Sequence, residues 1–269
     1  MICNVCNIPI YYEAYGDGKP VLCVHGYPVD HRLMTGCLEP VFDETQGYRR
    51  IYLDLPGMGK TPSERWINNS NDMLDILCGF VDAVIPNERF LLAGESYGGR
   101  LALGLLYRMG SRIDGLLLIC SSLPKGTLPA RQIILGSEAF ESKRGEPDVQ
   151  TFLDVAVLAT PETYEKFYND VLPGLKAADQ DFLNHHYSGE YNPDFESKLT
   201  SIGYDKPSCI LAGRQDHWVG YAGVYELLDR FPRATFAVLD CAGHNLQIEN
   251  ERLFRQLVKD WIGRVELNP

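Results

Sequence analysis

The feature that most constrains this chain is a serine set between a short apolar run and a helix-like stretch. Residues 94–99 read GESYGG, directly after the apolar run at 89–93 and before a helical pattern at 100–106. A G-x-S-x-G motif in this context predicts a strand, a sharp turn and a helix, with the serine hydroxyl projecting from the turn. Small residues two positions before and after the serine let strand and helix approach closely. Ser96 is therefore the candidate nucleophile.

His244 is the predicted base for this serine. A serine hydroxyl is a weak nucleophile until a base accepts its proton, and in chains with this motif the acid and then the histidine follow the serine. His244 comes after the strand-like run 234–240, and Gly243 before it frees the loop to aim the imidazole. We expect the helix-like stretch 247–262 to anchor this loop from behind.

Asp216 is the predicted acid that orients His244 and stabilises its cation. It ends the run 206–216, an apolar strand followed by a glycine turn. One crossover helix at 221–231 fits between the two residues, so both should lie at carboxyl ends of neighbouring parallel strands, where open α/β sheets place their chemistry. Asp240 is the rival acid, and its expected role is to brace its own loop through backbone hydrogen bonds.

A second early motif supplies candidate oxyanion donors. The apolar run at 21–24 ends in the sequence HGYP at 25–28. The backbone N–H groups of Tyr27 and Tyr97 can point at a carbonyl oxygen as it gains negative charge, which is a large contribution in acyl-transfer chemistry. His25 is expected to brace the loop from below rather than to react.

Taken together, these motifs resemble the α/β-hydrolase superfamily over nearly the whole chain. The matching segments are HGYP at 25–28, DLPGMG at 54–59, GESYGG at 94–99, GRQD at 213–216 and GH at 243–244. The resemblance implies catalytic Ser96, Asp216 and His244, with oxyanion amides from Tyr27 and Tyr97. It implies neither a metal nor another cofactor. Related epoxide hydrolases and dehalogenases carry an aspartate where this chain has serine, so the departure favours acyl chemistry.

Six apolar runs separated by helical patterns predict an α/β fold with a mostly parallel sheet covered by helices on both faces. An alternating segment at 9–15 predicts an antiparallel edge hairpin. The hydrolase core is expected to comprise residues 1–122 and 206–269. The runs lie at 21–24, 51–53, 90–93, 116–120, 209–212 and 235–239.

The parallel-strand rhythm stops over residues 123–205, which predict a helical cap inserted into the core. A mostly apolar cap excludes water and shapes the substrate pocket. The alternative is that its aromatic side chains mainly pack the insert onto the core. These side chains are Phe140, Phe152, Tyr164, Phe167, Tyr168, Phe182, Tyr187, Tyr191 and Phe195.

The net charge and the distribution of apolar residues limit the binding partners and cellular location to be expected. A net charge of −11 argues against nucleic acid and anionic membrane surfaces. No apolar stretch is long enough to span a bilayer and the N-terminus has no basic, apolar leader, so the expected location is the cytoplasm. The C-x-x-C pair at 3–6 has no further ligands at zinc spacing, and the GMGKT segment at 57–61 is too short for a phosphate loop.

The sequence therefore predicts a serine hydrolase acting on a small carboxylic ester, lactone or thioester through an acyl-enzyme on Ser96. One alternative is a carbon–carbon bond hydrolase or amidase with the same triad. Another is a ligand receptor on the same fold that turns over slowly. Glu95, inside the turn, is expected to point back under the sheet toward a neighbouring strand loop. An oligomeric state does not follow from the pattern.

Overall fold

The computed structural model describes residues 1–123, 126–130, 132–133, 135–188 and 202–267. Within them, strands form one eight-stranded sheet in the order β1-β2-β4-β3-β5-β6-β7-β8. Strands β3 to β8 run parallel, whereas β1 pairs antiparallel with β2 and β2 antiparallel with β4. The strands are β1 Ile2–Val5, β2 Ile8–Tyr15, β3 Lys19–Val24, β4 Tyr48–Leu53, β5 Phe90–Glu95, β6 Ile113–Ile119, β7 Ser208–Gly213 and β8 Ala234–Leu239.

The α/β fold predicted from the sequence is thus confirmed. Five of the six apolar runs lie within parallel strands, the run 116–120 passes the end of β6 by one residue, and the segment 9–15 lies in an antiparallel hairpin. The described α-helices are α1 His31–Phe42, α2 Ser70–Val84, α3 Tyr97–Met109, α4 Pro147–Leu153, α5 Pro161–Asp170, α6 Leu172–Ala177, α7 Gln180–Ser188, α8 Ala222–Tyr225, α9 Leu246–Glu249 and α10 Glu251–Glu266.

Helices cover both faces of the sheet, which explains the uninterrupted apolar character of its parallel strands. On one face α2 and α3 share a buried cluster with the sheet, centred on large side chains such as Phe80 and Leu101. On the other face α1 and α10 share a second cluster that includes Met34 and Trp261. Two complete apolar layers therefore hold the sheet rigid beneath its carboxyl edge.

The crossover helix expected at 221–231 is wrong in extent. Only α8 is helical. The following residues form turns with hydrogen bonds to the carbonyl three residues back, as from Leu228 to Tyr225 and from Arg230 to Leu227. Burial of Leu227 and Phe231 holds this tight path against the sheet. The predicted helix at 247–262 is present but divided at Asn250 into α9 and α10.

Between β6 and β7 the chain forms α4 to α7, which we call the insert helices. A third apolar cluster joins them to the core: Phe152 and Phe167 of the insert pack with Val29, Leu33 at the start of α1, and Ile248 of α9. Four of the insert aromatics, Phe140, Phe152, Tyr164 and Phe167, pack against one another. Tyr191 and Phe195 lie outside the described residues.

Among the described residues, no helix has the length and apolar character needed to cross a membrane.

Candidate active site

Ser96 sits at a strained turn between β5, which ends at Glu95, and α3, which begins at Tyr97. Its backbone has φ 50 and ψ −115, a conformation that non-glycine residues rarely adopt. A Cβ at Gly94 would lie 2.5 Å from the Gly98 carbonyl oxygen, so a side chain at position 94 would push strand and helix apart. The glycines of the motif thus permit the turn that presents the serine hydroxyl.

The structure brings the three predicted site residues into one hydrogen-bonded chain. Ser96 Oγ lies 2.9 Å from His244 Nε2, and His244 Nδ1 lies 2.9 Å from Asp216 Oδ2. The sequence separates Ser96 from His244 by 148 positions, and the parallel packing of β5, β6, β7 and β8 brings them together at the carboxyl edge. This geometry permits proton transfer from the serine to the imidazole.

Asp216 is fully buried and held by the backbone of its own loop. Its Oδ1 accepts hydrogen bonds from the N–H groups of Trp218 and Val219, at 2.9 and 3.1 Å. Burial by itself raises the pKa of Asp216, but His244 and these two N–H groups outweigh burial and lower it. Asp216 is thus held as a carboxylate facing His244.

Asp240 does not reach the imidazole. Its exposed carboxylate accepts a hydrogen bond of 2.8 Å from Gln215 Nε2, and its carbonyl oxygen accepts one from the Asn250 side chain. Asp240 therefore links the end of β8 to two neighbouring loops, which is the bracing position expected from the sequence.

His244 lies between two carboxylates. Burial lowers the pKa of His244, but Asp216, followed by Glu95 and Glu249, more than offsets burial and raises it to about 9. The indole of Trp218 stacks on the imidazole, with ring centroids 5.5 Å apart and planes inclined by 22°. The ring is thus fixed in orientation and its protonated form is favoured.

Glu95 pairs with a neighbouring strand loop, as expected from the sequence, but its side chain does not take the predicted direction. It does not point back under the sheet: Oε1 lies 3.6 Å from His244 Nε2, and the carboxyl group lies against Gly26, whose N–H donates to it. Glu95 is 3% exposed, and burial raises its pKa to about 7. The cause is steric: the side chain before Ser96 turns toward the loop after β3, where the glycine leaves room for it.

The loop after β3 lies directly against the serine, since a Cβ at Gly26 would be 3.0 Å from Ser96 Cβ. His25 braces this loop, with Nδ1 2.7 Å from the Gly26 carbonyl oxygen and Nε2 accepting from the Leu55 N–H at 3.0 Å. The Tyr97 hydroxyl bonds to Ser70 on α2, so its ring points away from the serine. The Tyr97 side chain is therefore engaged with α2 rather than with the serine.

A small apolar pocket of about 60 Å³ adjoins the imidazole. Its walls come from the loop after β3, from α5 and α6, and from the loops that carry Trp218 and His244. Glu95 and His244 are the acidic and basic side chains among the described residues of its lining, which is otherwise formed by Tyr27, Pro28, Val29, Leu33, Val155, Phe167, Val171, Leu175, Trp218 and Asn245.

Glu249 is a site-supporting residue that the sequence interpretation missed. One oxygen accepts from the N–H of Gly243 at 2.6 Å, and the other accepts from Val157 and Leu158 at 2.6 and 3.2 Å. A single buried carboxylate therefore ties the His244 loop to the insert. The sequence signal that could have identified Glu249 is its place directly after the apolar Ile248 in the short helix 246–249. An acid in such a place is rarely buried unless it has hydrogen-bond partners.

Two groups of potential metal ligands among the described residues are already engaged in hydrogen bonds. The first group consists of Cys120, Asp216 and His244, and in it the Asp216 carboxylate is already hydrogen-bonded to the His244 ring. In the second, with Asp30, the Asp54 carboxylate accepts from the backbone and ring nitrogens of His31 and from the Lys60 N–H. These carboxylates fix loops of the protein itself.

The sequence matches the alpha/beta hydrolase fold family over residues 19–251. This chain belongs to that family. Members of the alpha/beta hydrolase fold family similar to this chain include hydrolases of more than one kind, and membership supports hydrolase activity here.

Three relatives illustrate the range. An alpha/beta superfamily hydrolase from Oenococcus oeni PSU-1 superposes with a TM-score of 0.88 at 28% identity, covering 96% of both chains. A 2-hydroxy-6-oxononadienedioate/2-hydroxy-6-oxononatrienedioate hydrolase from Paraburkholderia phymatum is 26% identical over 81% of this chain and 77% of its own. A pimeloyl-[acyl-carrier protein] methyl ester esterase from Legionella pneumophila is 32% identical over 42% of each chain.

Proposed function

We propose that this protein is a serine esterase that hydrolyses small carboxylic esters, lactones or thioesters through an acyl-enzyme on Ser96. The observation that carries the proposal is the Ser96–His244–Asp216 chain, with both hydrogen bonds at 2.9 Å, opening onto an apolar pocket. Similarity to an esterase from Legionella pneumophila supports the same reaction class.

In the first half of the reaction, Ser96 Oγ attacks the substrate carbonyl carbon while His244 Nε2 accepts the hydroxyl proton. The carbonyl π electrons move to oxygen and form a tetrahedral oxyanion. This intermediate collapses, the alcohol leaves with the proton from Nε2, and the acyl group stays on Ser96. In the second half, water attacks the acyl carbon while Nε2 takes its proton, the second tetrahedral intermediate collapses, and Ser96 Oγ leaves with that proton as the carboxylic acid is released.

The developing oxyanion is assigned to the backbone N–H groups of Tyr27 and Tyr97. Tyr97 is the first residue of α3, so its N–H lies at the end of the helix where the dipole favours negative charge. Tyr27 lies in the loop that approaches the Ser96 side chain. Loss of one such donor typically costs about 100- to 1000-fold in rate.

The insert helices act in this proposal as the cap expected at 123–205. Phe167, Val171 and Leu175, from α5, α6 and the turn between them, form one wall of the pocket and separate the imidazole from solvent. An apolar cavity of about 150 Å³ holds benzene, so a pocket of about 60 Å³ fits a smaller group. The favoured acyl groups are accordingly short, from acetyl to about butanoyl.

A fluorophosphonate probe tests the nucleophile. We expect it to label Ser96, because the activated hydroxyl attacks phosphorus and the adduct mimics the oxyanion state. Peptide mapping of the labelled protein should find the tag on the peptide containing residue 96, and Ser96→Ala should remain unlabelled with an unchanged melting temperature. A tag on another residue, or an unlabelled folded protein, would contradict the proposal.

Carbon–carbon bond hydrolysis is the second candidate. The Paraburkholderia phymatum relative is named as a hydrolase of a 2-hydroxy-6-oxo dienedioate, in which a carbon–carbon bond rather than an ester bond would be cleaved. A panel of aryl esters of graded acyl length, run beside a vinylogous diketo acid, separates the two. The slow-turnover receptor alternative is decided in the same assay, since a receptor releases about one product per molecule while an esterase continues.

A further inference from the structure

Glu95 is an acidic side chain that the proposed acyl transfer does not use, although it lines the pocket beside the reacting groups. Its Oε1 is 3.6 Å from His244 Nε2, the nitrogen that also faces Ser96 Oγ. At 3% exposure it is shielded from bulk water, so its charge acts at short range in a poorly polarisable environment.

When His244 is neutral, as it must be to accept the Ser96 proton, no cationic side chain among the described residues of the pocket lining offsets this charge. Among its described residues there is no lysine or arginine, and apart from Glu95, His244 and Asn245 the side chains are aliphatic, aromatic or proline. Asp216 lies on the far side of the imidazole, at 2.9 Å from Nδ1. In this reactive form, above the pKa of about 7 to which burial raises Glu95, the Glu95 carboxylate faces the bound substrate and the Asp216 carboxylate lies behind the imidazole.

We propose that Glu95 is a specificity-determining residue whose carboxyl group excludes acyl chains ending in a carboxylate and favours uncharged or cationic ones. In the reactive form, a substrate carboxylate in this cavity would lie close to the Glu95 carboxylate with no cationic side chain among the described residues of the lining, and such a like-charge contact opposes binding. This inference rests on the proposed esterase function and adds the charge class of its substrate. It also separates this chain from relatives named for dienedioate substrates.

The test compares methyl esters that differ in acyl charge: monomethyl succinate, its neutral isostere methyl succinamate, and cationic methyl β-alaninate. We expect wild-type kcat/KM for the succinate ester to be lower than for the succinamate ester by about tenfold or more. Glu95→Gln keeps the shape and an acceptor for the Gly26 N–H but removes the charge. It should raise the succinate-to-succinamate ratio by about tenfold and lower the β-alaninate-to-succinamate ratio.

The opposite movement of the two ratios distinguishes a charge effect from a structural one, which would move both the same way. Asp240→Asn is the matched control, because it also exchanges one carboxylate for an amide, at an exposed position beyond the pocket lining. Its two ratios should equal those of the wild type. Glu95→Met provides a second uncharged variant should Glu95→Gln fold poorly.

A binding measurement keeps this inference separate from the esterase proposal. In a Ser96→Ala background, at a pH above the His244 pKa of about 9 so that the imidazole is neutral, ligand-observed NMR gives the Kd of succinamide and of anionic succinamate without any chemistry. Glu95→Gln should narrow the gap between them by about tenfold. Unchanged ratios in both assays, or a wild type that prefers the succinate ester, would overturn the role of Glu95. Absence of ester hydrolysis with a charge-dependent Kd would overturn the esterase proposal alone.

Discussion

Two aspartates at the carboxyl edge of the sheet differ in what surrounds them. Asp216 is buried, accepts two backbone hydrogen bonds and faces His244 Nδ1, whereas Asp240 is exposed and bonded to Gln215. The first can fix the tautomer of the imidazole and stabilise its cation, while the second can only hold a loop. Their exchange for asparagine should therefore have opposite consequences.

Asp216→Asn should lower turnover by roughly 10⁴-fold while leaving the fold intact, because an amide facing Nδ1 favours the wrong imidazole tautomer. Asp240→Asn should retain near-normal turnover and lose about 1 kcal/mol of unfolding free energy through a weakened hydrogen bond. Steady-state kinetics and urea unfolding of both variants check this pair. A dead Asp240→Asn enzyme beside an active Asp216→Asn enzyme would reverse the assignment.

Among the helices, α6 controls how closely the insert approaches the loop after β3. A Cβ at Gly174 would lie 2.6 Å from the Asp30 nitrogen and 2.9 Å from backbone atoms of Val29. These neighbours are backbone atoms, which cannot rotate aside as a side chain can. Val171 and Leu175, on either side of this contact, line the pocket, so the helix position sets the pocket width.

Gly174→Ala should lower the unfolding free energy by about 1–3 kcal/mol, since overpacking displaces α6. It should also broaden acyl selectivity, because the pocket wall moves with the helix. The control is Gly263→Ala in α10, where a Cβ meets no atom within 4 Å. There the better helix propensity of alanine should stabilise the protein by up to about 1 kcal/mol. Equal effects of both substitutions on selectivity would contradict this role of α6.

The stability of the whole molecule depends on pH through Asp170, a half-buried residue where the insert meets the core. The Asp170 carboxyl group at the end of α5 lies against Gly36 of α1. Burial raises the pKa of Asp170 to about 6, with Lys166 opposing and Glu251 reinforcing the shift. A raised acid pKa means that the native state holds this proton more tightly than the unfolded chain does. Stability is therefore lost as the pH rises from the ordinary pKa through about 6.

Asp170→Asn should remove that loss, because the amide does not ionise. At pH near 7.5 we expect the variant to be more stable by about 1 kcal/mol, an estimate reduced for partial solvent screening. At pH near 4 the two proteins should unfold at nearly the same urea concentration, since Asp170 is then protonated. A stabilisation that is equal at both pH values would show that packing rather than charge is responsible.

Local sequence patterns were sufficient to predict the positions of the strands and of the turn at Ser96, and to single out the candidate site residues. Apolar runs of strand length between helical patterns specify a parallel sheet, and chain order then places Ser96, Asp216 and His244 at its carboxyl edge. These inferences hold because strand formation and tight glycine turns depend on residues close together in the chain. The expected helix at 221–231 failed where burial of Leu227 and Phe231 overrode local propensity.

Tertiary structure alone decided the positions of the side chains around the site. Glu95 turns toward His244 because the loop after β3 offers space at Gly26, a residue 69 positions earlier. Glu249 joins the His244 loop to Val157, and Trp218 stacks on the imidazole, through contacts between segments far apart in the chain. No local pattern encodes such contacts, because they exist only once the sheet and the insert have packed together.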